Sequence, residues 1–170
     1  MKKRTPILLS VVLVALILAV GIVPKVAVPQ PGQAVAPSYY YSVKFVCGLG
    51  VEEDGVKPAN YATEINILNP TELKEGMEWK VVRLYPGPMK VAPFKSATLS
   101  ANKGKNIRCT QVYNRLKMAP GTFVTGYVVI RSMSDLLDVA AVYTMLNPTA
   151  SGGCSIDVEY IQVKEILPIP

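Results

Sequence analysis

Tyr39-Tyr-Tyr-Ser-Val-Lys-Phe-Val-Cys47 alternates: Tyr41, Val43 and Phe45 fall on one side of an extended chain and Lys44 on the other. Successive side chains of a strand point to opposite faces, so a period of two built from β-branched and aromatic residues reads as a half-buried strand. The period recurs downstream. Residues 61–68 set Ile65 and Ile67 against Glu64 and Asn66 before Asn69-Pro70. Residues 77–85 carry Trp79, Val81 and then Leu84 before Pro86-Gly87-Pro88. Shorter runs, 94–101 and 106–109, flank the turn Asn102-Lys103-Gly104. Residues 122–131 are rich in β-branched and aromatic types. Residues 136–146 are nearly all apolar, as a central strand would be, and 155–164 set Ile156, Val158 and Tyr160 against Asp157 and Glu159. Only 110–118 has a helical period: Val112, Tyr113 and Leu116 share one face, and Ala119-Pro120-Gly121 ends it. The pattern predicts a mainly β fold, an antiparallel Ig-like β-sandwich of about seven or eight strands with one short helix; a barrel is the alternative.

Upstream of this domain the chemistry changes. Met1-Lys2-Lys3-Arg4 is followed by a run from Thr5 to Pro24 without Asp, Glu, Lys or Arg, dominated by Leu, Val, Ile and Ala. A basic head before such a run is an export signal. A cleaved signal has an apolar region of about 7 to 15 residues, and a spanning helix needs roughly 17 to 25. Residues 1–23 are therefore expected to be a signal anchor, a single transmembrane helix. The basic head would stay in the cytoplasm and the domain would lie outside. Ala19-Val20-Gly21 and Ala34-Val35-Ala36 offer cleavage sites, the second followed by Pro37, so secretion after signal cleavage is the alternative. A pilin-like assembly helix would need an early acidic residue, and the run has none. Residues 24–38 carry four prolines and little charge, the composition of an extended stalk, which leaves 39–170 as the extracytoplasmic domain.

The whole chain has 170 residues and a formal charge of +6, of which Lys2, Lys3 and Arg4 supply half. The remaining basic residues are scattered, which does not favour nucleic acid. The sequence contains no histidine. That removes Ser-His-Asp and Cys-His catalysis together with the commonest zinc and copper ligand. Gly48-Leu49-Gly50 lacks the Gly-Lys-Ser/Thr that a phosphate loop requires. No cofactor is implied, and the expectation is a protein that is not an enzyme.

Three cysteines outside the cytoplasm predict one disulfide and one thiol left over. Of three pairings, Cys47–Cys109 is favoured because each residue ends a predicted strand, so that a bridge would tie the two halves of a sandwich together. Cys154, after Ser151-Gly152-Gly153, would then be a free thiol or an intermolecular link. Glu52, Glu53 and Asp54 are hard-cation candidates for Ca²⁺, although adjacent loop acids are commonly just solvated. Asp135 and Asp138 are carboxylates of the kind that works on sugars, set against plain backbone bonding. Tyr39 and Tyr40 with Trp79 could form a surface on which a ligand stacks, since aromatic rings meet sugar faces through their apolar area.

Five stretches taken together carry a resemblance: Ser42-Val-Lys-Phe-Val-Cys-Gly48, Asn60-Tyr-Ala-Thr-Glu-Ile-Asn-Ile-Leu-Asn-Pro70, Gly121-Thr-Phe-Val-Thr-Gly-Tyr-Val-Val-Ile130, Leu137-Asp-Val-Ala-Ala-Val-Tyr-Thr144 and Ser155-Ile-Asp-Val-Glu-Tyr160. In this order the chain resembles a family of small exported bacterial and archaeal β-domains to which no activity is attached. The resemblance implies a secreted β-fold near a signal sequence and brings no site residues. The expected role is a membrane-tethered domain that binds a protein or glycan partner, or supports the envelope. A carbohydrate-binding or carbohydrate-active module and a self-assembling surface-filament subunit are the alternatives.

Overall fold

The alternating segments pair as antiparallel strands in a computed structural model of the chain, which describes residues 38–147 and 153–166. The expected anchor and nearly all of the stalk, residues 1–37, lie outside the described residues. Among the described residues no helix is long and apolar enough to cross a membrane. In chain order the elements are β1 (Ser38–Gly50), a 3-10 turn (Glu52–Asp54), β2 (Ala59–Asn69), β3 (Glu75–Tyr85), β4 (Lys90–Val91), β5 (Lys95–Leu99) and β6 (Lys103–Arg108). Helix α1 (Cys109–Leu116), β7 (Val124–Ser132), β8 (Asp138–Leu146), β9 (Cys154–Tyr160) and β10 (Lys164–Ile166) complete it.

The fold is mainly β with one helix, and every pairing is antiparallel. The first group of strands places β7 between β3 and β1, with β4 and β5 on β3 and β10 on β1. In the second, β2 lies between β6 and β8, and β9 adds to β8. The groups join through β1, whose first ten residues pair with β7 or β10 and whose last three, Gly48 to Gly50, pair with β2. Tyr41, Val43, Phe45 and Cys47 from β1, Met77, Trp79 and Val81 from β3, and Val124, Val128 and Ile130 from β7 share one core with Ile65 and Ile67 of β2, Ile107 of β6 and Val139 and Ala141 of β8. One continuous core from two strand groups is consistent with a β-sandwich.

Backbone approach is tightest at Gly126, where a Cβ would lie 2.0 Å from the Val82 carbonyl oxygen. The register of β3 against β7 shifts at the same place, between Arg83 and Tyr85. The missing side chain lets the bulged strand cross over β7. The bulge also breaks the alternation expected through Leu84, which is exposed.

The eight predicted strands are present, and β4 and β10 bring the total of described strands to ten. Helix α1 buries Val112, Tyr113 and Leu116 as the spacing requires. Of the predicted segment 136–146, β8 (Asp138–Leu146) is a strand paired on both sides, by β2 and β9. The segment 155–164 differs from expectation. It divides between β9 in the second group and β10 in the first, and no residue of β9 is buried, despite its clean alternation. The second group extends one strand beyond the cover that the first provides, so neither face of β9 packs on the core. Ile161, whose N–H donates to the Val139 carbonyl at 2.9 Å, turns the chain inward between the two strands.

Candidate binding surfaces

The outer face of the second strand group carries an open trough of about 660 Å³. Strand register builds it. Asn106 of β6 stands opposite Asn66 of β2, Asn66 opposite Ala140 of β8, and Ala140 opposite Tyr160 of β9. The next row runs from Gly104 through Leu68 to Asp138. Because Ala140 contributes only a methyl group and Gly104 nothing, the floor is low between Asn66 and Tyr160, two strand spacings or about 10 Å apart. Gln111 of α1 completes the far wall, whereas Lys105 of β6 stands opposite the buried Ile67 and projects to the other face of the sheet. Tyr160 is 72% exposed.

The polar groups of the trough divide into occupied and unoccupied ones. Asn106 is held beside the ion pair that Glu64 and Arg108 form at 2.8 Å just outside the trough. Gln111 accepts through Oε1 from the Arg108 N–H at 3.0 Å and from the Thr110 hydroxyl at 2.9 Å, leaving its amide NH₂ unused. Asn66, Asp138 and Tyr160 make no side-chain hydrogen bond or ion pair with the described residues.

A second cleft, of about 300 Å³, opens beneath β9, between its inward side chains Ser155, Asp157 and Glu159 and the edge of β1 at Lys44 and Val46. Side chains cover this edge of β1. The Thr63 hydroxyl accepts from the Val46 N–H and donates to the Val46 carbonyl, both at 3.0 Å. The Tyr143 hydroxyl lies 3.2 Å from the Lys44 carbonyl and donates to Glu159 at 2.8 Å. Burial, reinforced by that bond to the Glu159 carboxylate, pushes the Tyr143 phenol above its ordinary value. It therefore stays protonated near neutral pH, and this cleft presents a hydrogen-bonded edge rather than an acid–base pair.

The residues singled out from the sequence are dispersed. Tyr39 and Tyr40, adjacent in β1, point to opposite faces, and Trp79 is 2% exposed, in the core row with Tyr41 and Ile130. The indole lies under the Arg115 guanidinium, 5.5 Å from the ring centroid, and its N–H has no acceptor among the described residues. Tyr39, Tyr40 and Trp79 thus form no common stacking surface. Aromatic spacing alone could not say which ring a strand turns inward.

Glu52, Glu53 and Asp54 do not converge either. Asp54 closes the 3-10 turn by accepting from the Val51 N–H at 3.0 Å, and takes the Tyr85 hydroxyl at 2.7 Å on its other oxygen. Both of its carboxylate oxygens are thereby used in holding the turn, while Glu52 and Glu53 point to solvent. Among the described residues no group of three or more His, Cys, Asp or Glu side chains is placed to hold a metal. Asp135 and Asp138 also serve no shared centre. The Asp135 backbone carbonyl accepts from Tyr41, and the Asp138 side chain opens onto the trough.

Cys47 and Cys109 form the favoured disulfide, joining β1 to the first residue of α1, and Cys154 is a free, exposed thiol at the start of β9. The trough itself escaped sequence reading. Asn66, Asp138 and Tyr160 come from three strands, and only their pairing register makes them neighbours.

No family model matches the chain, and no curated protein matches it. Among solved structures, the chain is similar to the crystal structure of Thermotoga maritima 1070, with 6% sequence identity and a TM-score of 0.44, over 76% of this chain and 95% of that one. A likeness of that degree carries no argument about fold or activity.

Proposed function

We propose that this protein is a single-pass, membrane-tethered domain on the extracytoplasmic side, an Ig-like sandwich that binds a partner rather than performing catalysis. The observation that carries the reading is the uncovered outer face of the second strand group, where the Asn66, Asp138 and Tyr160 side chains stand without hydrogen-bond or ion-pair partners among the described residues. The tether follows from the basic head and apolar run of residues 1–23.

The test is intact mass with and without reductant, from membrane and soluble fractions, combined with protease added outside sealed cells. Full-length protein in the membrane fraction, one internal disulfide and external cleavage are expected. A cytoplasmic pool with all thiols reduced would overturn the reading.

One observation favours a second reading, a subunit that assembles into a surface polymer. Strand β9 pairs only with β8 among the described residues and carries Ile156 and Val158 at 66% and 52% exposure. Such an edge is a template for another strand. Ladders of multiples under mild crosslinking, absent when residues 154–160 are replaced by a polar segment, are the result this second reading expects.

A further inference from the structure

Resting on the second reading, assembly through strand edges, we propose that β9 takes as its partner the β6 edge of a second copy of this chain, so that the second strand group continues head to tail from copy to copy. The strand order in that group is β6-β2-β8-β9, and each pairing is antiparallel. Strand β9 therefore runs opposite to β6, and a copy set beside it in the same orientation meets it as one more antiparallel neighbour. Both edges have backbone groups to offer. The Ile161 N–H bonds to Val139 of β8, whereas the Val158 N–H is taken by the Asp157 side chain. Odd-numbered residues of this segment thus face β8, and Ile156, Val158 and Tyr160 turn their N–H and C=O groups to the free edge. On β6 the Arg108 N–H is likewise taken by a side chain, that of Gln111, which puts Gly104 and Asn106 on the free edge there.

Side-chain charge decides which edges meet. Ile107 is buried, so Lys103 and Lys105, at steps of two from it, lie on the inner face of the sheet. On β9 that face carries Ser155, Asp157 and Glu159, the last opposite the buried Ala141. Two β9 strands paired antiparallel would set acid against acid, and two β6 strands lysine against lysine; like charges across strands weaken pairing. Only β9 on β6 joins carboxylates to ammonium groups. Lys103 and Lys105 make no ion pair with the described residues of their own copy. The register that sets Glu159 opposite Lys105 also sets Tyr160 opposite Gly104 and Val158 opposite Asn106. Gly104 leaves the tyrosine ring room to lie across the neighbouring backbone. Because the second strand group extends past the cover of the first at β9, the incoming edge meets an unobstructed strand. The two surfaces differ, so the contact does not close on a pair of copies. Neighbouring strands rotate by about 20 to 25° around the direction in which copies would follow one another, and four strands turn each copy by roughly 80 to 100°, giving an open, winding chain.

The experiment is site-directed crosslinking of the full chain in a mild detergent. Two chains are made in a Cys154→Ser background, one with Val158→Cys and one with Asn106→Cys, and each is oxidised alone and as a mixture. Linked dimers in the mixture only are expected, and a chain carrying both new thiols should give a ladder of dimers, trimers and higher multiples. Lys105→Glu or Glu159→Lys should each lower the linked yield about tenfold or more, and the chain carrying both reversals should recover it. A melting curve for each variant separates lost assembly from lost fold. The proposal is overturned if the mixture links no better than either chain alone, if the double reversal fails to recover the yield, or if Val158→Cys links to itself, which would mean that β9 meets β9. Ladders from the parent chain under mild crosslinking, with no linked product in the mixture, remove β6 as the partner and leave assembly through β9 standing. Absence of ladders as well removes both.

Discussion

Tyr41 illustrates what a single polar atom does inside this core. Its ring is buried, and its hydroxyl lies 3.0 Å from the Leu137 carbonyl and 3.1 Å from that of Asp135, bonding the loop between β7 and β8 to β1. Burial, with the Asp135 charge adding to it, pushes the phenol from 10.0 up to about 12. The folded state thus favours the neutral form. The stability this residue contributes is complete below pH 10 and falls away as pH rises toward and through 12. Urea titrations of Tyr41→Phe should show a lower midpoint at pH 7, by about 1 kcal/mol for the lost hydrogen bond, and a flatter decline between pH 10 and 12 than the parent. Asn69 plays a similar part. Fully buried, it donates to the Leu73 carbonyl at 2.7 Å and accepts from the Thr71 hydroxyl at 2.8 Å, organising the turn that Asn69-Pro70 announces. Asn69→Ala orphans those groups and should cost about 2 kcal/mol or more in chemical denaturation. The sequence marked the turn at Asn69. It could not reveal that the side chain also reaches the carbonyls of Leu99 and Ser100, thirty residues on, because that contact exists only after β5 folds back.

At the scale of elements, α1 and β9 differ in what their sequences made legible. The helix was readable because its burial is local: the spacing of Val112, Tyr113 and Leu116 fixes a face whatever it packs against. It ends at Lys117, which adopts φ 55°, a left-handed conformation that favours glycine. Lys117→Gly should therefore raise the melting midpoint, by up to about 1 kcal/mol of relieved strain. Strand β9 was readable as a strand but not as an exposed one, because alternation states that two faces differ and not that either is covered. Its free edge is partly guarded by Asp157, whose carboxylate accepts from the Val158 N–H at 2.9 Å. A charge in that position blunts strand addition. Asp157→Val should increase self-association, read as a concentration-dependent rise in sedimentation coefficient, whereas Asp157→Asn, which keeps a local acceptor, should change it little.

Over the whole molecule, the disulfide ties the first strand to the only helix described, across a separation of 62 residues. Closing a loop of that length constrains the unfolded chain by about 4 kcal/mol in the chain-entropy model. Cys47→Ala with Cys109→Ala should lower the denaturation midpoint accordingly, and reductant should then have no further effect on the curve. By itself the sequence determined the strand periods, the helix face, the turns at Asn69-Pro70 and Pro86-Gly87-Pro88, and the pair Cys47–Cys109 as the favoured bridge. The periods, the helix face and the turns depend on alternation and backbone restrictions, which are local in the chain; the bridge was favoured from predicted strand ends, whereas Cys47 lies inside β1 and Cys109 opens α1. Tertiary structure alone decided that Trp79 is core rather than surface, that 155–164 divides between two strand groups, and that Asn66, Asp138 and Tyr160 line one trough. Those outcomes depend on pairing register and on where one layer stops covering the other. Both are set by contacts between residues far apart in sequence, on which the periodicity of any one segment is silent.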